Sequence, residues 1–117
     1  MNIKLGLIGE ELAANYIKDK GYYILERNYR TKFGELDIIA KIDNIIAFIE
    51  VKTRTSNKFG MPSEAVNHKK QKTIQRLSQQ YILYKKLDYD YLSYRFDVIE
   101  VKIIDKKYKI DHIENAF

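Results

Sequence analysis

At 117 residues and 45% hydrophobic content the chain is large enough for one genuine core spanning residues 1–117 and too short for a second, which excludes both a disordered segment and a multidomain protein. A net charge of +5 favours polyanionic partners, nucleic acid or an anionic lipid surface, while the absence of cysteine excludes disulfides and thiolate metal sites and leaves oxygen ligands for any ion. No apolar run approaches the roughly 18 residues that a membrane span needs, and Glu10 arrives before a secretory apolar core could form, so the expectation is a cytoplasmic protein with no membrane contact.

Leu5, Ile8, Leu12, Ala13, Tyr16 and Ile17 recur at helical spacing, which predicts a first helix over residues 4–20 that Gly21 stops. Glu11 points away from this apolar stripe. Glu10 lies at its flank, positioned to reach the edge of a sheet or to serve as a first-turn acid near the helix N-terminus. Residues 22–30 are β-prone and read as the first strand.

Residues 34–54, GELDIIAKIDNIIAFIEVKTR, contain two apolar runs, 36–42 and 45–51, around Asp43-Asn44, a pair that tolerates the left-handed angles of a tight turn. This predicts a hairpin whose register follows from the loop: Ile42 faces Ile45, Asp37 faces Glu50 and Glu35 faces Lys52. Alternation then puts Glu35, Asp37, Glu50 and Lys52 on one face and Leu36, Ile38, Ala40, Ile45, Ala47, Ile49 and Val51 on the other. Two carboxylates directly opposed at a Cβ separation of about 5 Å repel each other. A divalent cation would compensate: Mg²⁺ typically takes one or two carboxylates and keeps waters for substrate phosphate, and Lys52 beside it could orient a water or offset transition-state charge. The simpler alternative is a solvated strand face with Lys52 paired to Glu35.

Residues 53–60 read as a polar loop that places Arg54 and Lys58 where phosphate contacts would be useful, or as solvated charges. Pro62, Ser63 and Asn67 offer starts for a second helix over residues 68–86, with a buried stripe of Ile74, Leu77, Tyr81 and Ile82. Lys69, Lys72, Thr73 and Arg76 form a basic ridge able to track a nucleic-acid backbone, with Lys70 alongside. Residues 84–94, carrying Tyr89 and Tyr91, read as a surface connection whose tyrosines could stack on unpaired bases. Residues 95–104 predict a fourth strand and 108–113 an edge strand. The helix between strands three and four implies a crossover and a mixed sheet. Asp97 reads as a local partner of Arg95 or Lys102, with a site role as the alternative, and His68 and His112 as non-catalytic.

With these elements in place the chain resembles the YraN-like family of small bacterial proteins, within the PD-(D/E)xK nuclease superfamily. The matching residues are Gly6, Gly9-Glu10, Ala13, Gly21-Tyr22, Asn28, Arg30, Gly34-Glu35-Leu36-Asp37 and Phe48-Ile49-Glu50-Val51-Lys52-Thr53-Arg54. They continue through Gly60, Pro62, Glu64-Ala65-Val66, Lys70, Arg95-Phe96-Asp97-Val98, His112 and Asn115-Ala116-Phe117. The resemblance covers essentially the whole chain. It implies an α/β, restriction-endonuclease-like αβββαβ core, a mixed central sheet flanked by helices.

It also implies Asp37 and Glu50 as ligands of Mg²⁺ or Mn²⁺, Glu10 as a ligand directly or through water, and Lys52 beside the attacking water. Leu36-Asp37 stands where the superfamily usually has Pro-Asp. The acid on the first helix is similar to that of archaeal Holliday-junction resolvases, which act as dimers; no dimer signature is readable here. The expected function is metal-dependent phosphodiester hydrolysis on DNA or RNA, selective for structure rather than sequence. The alternatives are a binding module without hydrolysis and a protein-interaction adaptor.

Overall fold

The computed structural model describes residues 3–55, 66–87 and 91–117. The element order is α1 (Ile3–Asp19), β1 (Tyr23–Thr31), β2 (Gly34–Ile42), β3 (Ile45–Arg54), α2 (His68–Tyr84), β4 (Ser93–Ile104) and β5 (Lys107–Ile113). The strands form one sheet in the order β1-β2-β3-β4-β5. β3 and β4 are parallel, joined by the α2 crossover, and the other neighbours are antiparallel. This is the predicted α/β class with a mixed sheet, consistent with a restriction-endonuclease-like αβββαβ core to which β5 adds an edge. Lys58, Pro62, Ser63 and Tyr89 lie outside the described residues. No helix among the described residues is long and apolar enough to cross a membrane.

Each sheet face is closed by one amphipathic helix. α1 buries Ala13, Ala14 and Ile17 against Ile38, Ala40, Ala47, Ile49, Val51, Ile99 and Val101. α2 buries Ile74, Leu77, Tyr81 and Ile82 against Leu36, Ile39, Ile46, Phe48 and Val98 on the other face. α1 ends where Gly21 takes φ +96, with Tyr22 N–H donating back to the Ile17 carbonyl at 3.0 Å. α2 is capped by Asn67, whose Oδ1 accepts the Lys70 N–H at 2.9 Å.

Small residues on α1 set how closely it approaches the sheet. A Cβ at Gly9 would overlap the Thr53 side chain, and Thr53 lies in β3 and is itself buried. Gly9→Ala should therefore cost about 1–3 kcal/mol through overpacking, outweighing the helix propensity gained. Urea denaturation checks this. Since Gly9 precedes Glu10, the same close approach fixes where that acid enters the sheet edge.

Asp97 is placed in the core on the α1 face and is fully buried. Arg95 Nε donates to its Oδ1 at 2.9 Å and an Arg95 terminal nitrogen to its Oδ2 at 2.9 Å, and that nitrogen also donates to the Tyr22 hydroxyl. His112 Nε2 lies 2.8 Å from Oδ2, and Asn115 N–H donates to Oδ1 at 3.2 Å. The expected local partnership with Arg95 is present, while Lys102 pairs instead with Glu100 at 3.5 Å. The network ties β4 to β5 and to the C-terminal turn, where Phe117 stacks on Phe96.

Burial works against the Asp97 charge, but the hydrogen bonds from His112 and Arg95 outweigh it and hold the carboxyl below its ordinary range. A depressed folded-state value means stability that is present above the unfolded value, about pH 4, and lost as pH falls through the folded one. Asp97→Ala should cost about 3–5 kcal/mol at neutral pH by removing the fully buried carboxylate that Arg95, His112 and Asn115 share and leaving the half-buried Arg95 with only the more exposed Glu114. Chemical denaturation at neutral pH measures the loss, which should shrink as wild type is taken below about pH 4.

Candidate active site

The predicted hairpin register holds for five pairs, Ile42↔Ile45 through Ile38↔Ile49. It does not continue to Asp37↔Glu50 or Glu35↔Lys52. Beyond Ile38 the Asp37 side chain enters the gap between β2 and β3, where its Oδ2 accepts the Val51 N–H at 2.7 Å. Two opposed carboxylates in a closed ladder repel, and parting the strands relieves that contact while keeping the Val51 donor satisfied.

The distortion also involves β1. Asn28 falls opposite Asp37, between the pairs Arg27↔Ile38 and Tyr29↔Leu36, and adopts φ 53, the left-handed region that Asn tolerates better than most residues. The side-chain alternation of β2 inverts here. Leu36 joins the core under α2, whereas Ile38 joins the core under α1, so the prediction that both share a face is corrected. Glu35 accordingly meets Arg30 at 3.3 Å on β1 rather than Lys52.

The inversion gathers polar side chains from three elements. Glu10 of α1, Asn28 and Arg30 of β1, and Glu35 and Asp37 of β2 line a cleft of about 430 Å³ together with Ile3, Gly6 and Leu7. With its amide nitrogen turned toward them, Asn28 donates to Glu10 Oε1 at 2.9 Å and Glu35 Oε1 at 3.0 Å. Burial raises the Glu10 pKa, and the nearby Glu35 and Glu50 charges add to it against Arg27 and Arg30.

Glu50, 5% exposed, lies on β3 beside the gap. Its Oε1 is 3.6 Å from Lys52 Nζ and 3.7 Å from Lys70 Nζ, while Oε2 is buried with no hydrogen-bond partner among the described residues. Burial raises its pKa, opposed by Lys70 and Lys52. Burial, then the Glu50 charge, pushes the Asp37 carboxyl up to about 7 despite the Val51 N–H.

Asp37, Glu50 and Lys52 are thus brought together at the parted strands, with Glu10 across the cleft. Among the described residues no three acidic or imidazole side chains converge on one coordination sphere. Asp37 and Glu50 act on each other's charge, and the buried Glu50 Oε2 has a lone pair to give to a hard cation.

The basic residues divide. Lys70 faces inward onto Glu50 and belongs to the site. Lys69 and Lys72 are exposed on the outer side of α2, and the Arg76 guanidinium sits 3.6 Å over the Phe33 ring. Arg54, expected on a loop, is in β3, because the parallel ladder with β4 runs on to Arg54↔Lys102. Asn28 entered the sequence reading only as a family match with no site role, and Glu100, which holds Arg54 and Lys102 at 3.7 and 3.5 Å, did not enter it. Asn28 carried one usable signal, a residue tolerant of left-handed backbone inside a β-prone run; Glu100 carried none, since its neighbours come from another strand.

The fold and these residues define a small α/β domain built around a parted hairpin with buried acids. Residues 9–101 match the family described as "Uncharacterised protein family UPF0102", and the chain belongs to that family, the YraN-like one. It is 62% identical over 117 residues to a UPF0102 protein of Alkaliphilus oremlandii, with all of both chains covered. It is 52% identical to the Alkaliphilus metalliredigens protein, again over the full length of both, and 52% identical to a Clostridium botulinum protein over 99% of this chain and 95% of that one.

Proposed function

We propose that this protein is a Mg²⁺- or Mn²⁺-dependent phosphodiesterase acting on DNA or RNA, with preference for structure over sequence. The observation that carries the reading is the parted β2–β3 ladder, where the Asp37 carboxylate takes the Val51 N–H next to Glu50, whose Oε1 meets the Lys52 ammonium and whose Oε2 has no hydrogen-bond partner among the described residues. Asp37 and Glu50 would hold the cation, and Glu10 would reach it through water. Bound there, a divalent cation supplies Lewis-acid stabilisation of the phosphoryl charge and of the leaving oxygen. Lys52, held by Glu50, orients the attacking water and offsets charge developing at phosphorus. Lys69 and Lys72, exposed on α2, are available to backbone phosphates, and Arg54 lies two residues beyond Lys52 on the same strand face.

A second reading, nucleic-acid binding without hydrolysis, is favoured by one observation: Lys52 and Lys70 already neutralise Glu50 without a cation. The two separate on incubation of the purified protein with duplex, single-stranded, flap and four-way-junction substrates in Mn²⁺ or EDTA. Hydrolysis in Mn²⁺ that disappears in EDTA and in Asp37→Asn supports the enzyme. Salt-sensitive binding that ignores divalent ions and survives Glu50→Gln supports the binding module instead.

A further inference from the structure

β3, β4 and β5 bring three cations abreast on the sheet face that carries Glu50 and Lys52. Arg54 is the ladder partner of Lys102, and Lys102 is the ladder partner of Lys109. Neighbouring strands are about 4.8 Å apart, so the three side chains leave the sheet in one row. Ile104 pairs with Lys107, which places Lys107 two residues from Lys109 on the same face. The row directly behind is Lys52, Glu100 and Asp111.

Like charges directly opposite in a ladder destabilise it unless counter-charge or a bound anion offsets them. Glu100, 1% exposed, reaches Arg54 at 3.7 Å and Lys102 at 3.5 Å, and neither of its oxygens makes a hydrogen bond among the described residues. Lys107 and Lys109 are exposed and have no carboxylate within ion-pair reach among the described residues. Lys102, Ile104, Lys107, Tyr108 and Lys109 line a groove of about 200 Å³. A shallow groove with cations in series suits a linear polyanion whose phosphates neutralise the cations. The outward lysines of α2 cannot share this path, since the helix itself lies between them and the sheet.

We propose that Arg54, Lys102, Lys109 and Lys107 form the track along which a nucleic-acid backbone leaves the acidic centre, crossing β4 to the β5 edge. The proposal rests on the nucleic-acid reading above and not on hydrolysis. Glu100 serves as a positioning residue that holds Arg54 and Lys102 in the row.

The test uses the full chain, a fluorescein-labelled DNA duplex and a labelled single strand of the same length, with affinity measured by anisotropy in EDTA across a salt series. Lys107→Gln/Lys109→Gln should flatten the slope of log K against log salt by about 1.8 for the duplex, about 0.9 per phosphate contact, or about 1.4 for a single strand. Lys18→Gln/Lys20→Gln, an equal charge change at the end of α1 on the opposite face, should leave it unchanged. Wild-type binding with an unaltered slope in the first variant, an equal drop in the control, or no binding at low salt overturns the track. So does an unaltered slope accompanied by self-association, the result expected if these lysines serve only to guard an edge strand. Cleavage in the Mn²⁺ incubation described above with an unaltered slope here removes the track alone, whereas the flattened slope without cleavage in Mn²⁺ removes hydrolysis and leaves the track standing.

Discussion

Asp37→Asn should abolish Mn²⁺-supported hydrolysis, by at least about 10³-fold, and at the same time make the metal-free protein more stable. The loss follows because the substitution removes the charge of one of the two carboxylates that fit the cation, while Asn can still accept the Val51 N–H through its side-chain oxygen. The gain follows from linkage. Asp37 is pushed from an ordinary value of 3.8 up to about 7 in the folded protein, chiefly by burial and then by Glu50. A raised folded-state value means stability that is full below the unfolded value and lost as pH rises through the folded one. The metal-free wild type should therefore melt at lower temperature at about pH 8 than at about pH 5, with Asp37→Asn removing much of that slope and melting a few degrees higher at the alkaline end. Thermal melts in EDTA across this range check the sign, which is opposite to that of Asp97.

Lys52→Ala should lower kcat by about 10²–10³-fold while leaving divalent binding in place. The ammonium lies 3.6 Å from Glu50 Oε1 and donates nothing to Asp37 among the described residues, so its removal spares the oxygen pair. It also removes one of the two cations that hold the Glu50 charge, Lys70 at 3.7 Å being the other. A neutralising ion then has more to offset, and Mn²⁺ should stabilise Lys52→Ala at least as much as wild type. A turnover loss accompanied by an equal loss of metal binding would instead make Lys52 structural. Single-turnover cleavage alongside melts with and without Mn²⁺ separates the two.

The sequence reached the hairpin because its determinants are local. Asp43-Asn44 fixes the turn and the apolar alternation fixes the register, and five ladder pairs follow. The same reasoning identified the clash of Asp37 with Glu50 but kept the ladder closed, whereas the strands part and a side chain takes the backbone donor. The inverted face of Leu36 depends on the φ of Asn28 in a different strand, and alternation within β2 carries no trace of it.

Glu10 at the flank of the α1 stripe was readable from the helical wheel, although the buried side runs through Gly9, Ala13, Ala14 and Ile17 and leaves Ile8 of the expected stripe exposed. The inward turn of Lys70, the strand position of Arg54 and the row formed with Lys102 and Lys109 needed the order of β3, β4 and β5. That order is a property of the assembled sheet and of no segment alone.

Titration of Mn²⁺ into the purified protein by isothermal calorimetry at about pH 8, above the Asp37 value of about 7, tests the central claim most directly. Saturable binding by wild type that is lost in both Asp37→Asn and Glu50→Gln is the expected result. A wild type that takes up no Mn²⁺ at millimolar concentration, or variants that bind it as wild type does, would contradict a cation held between β2 and β3.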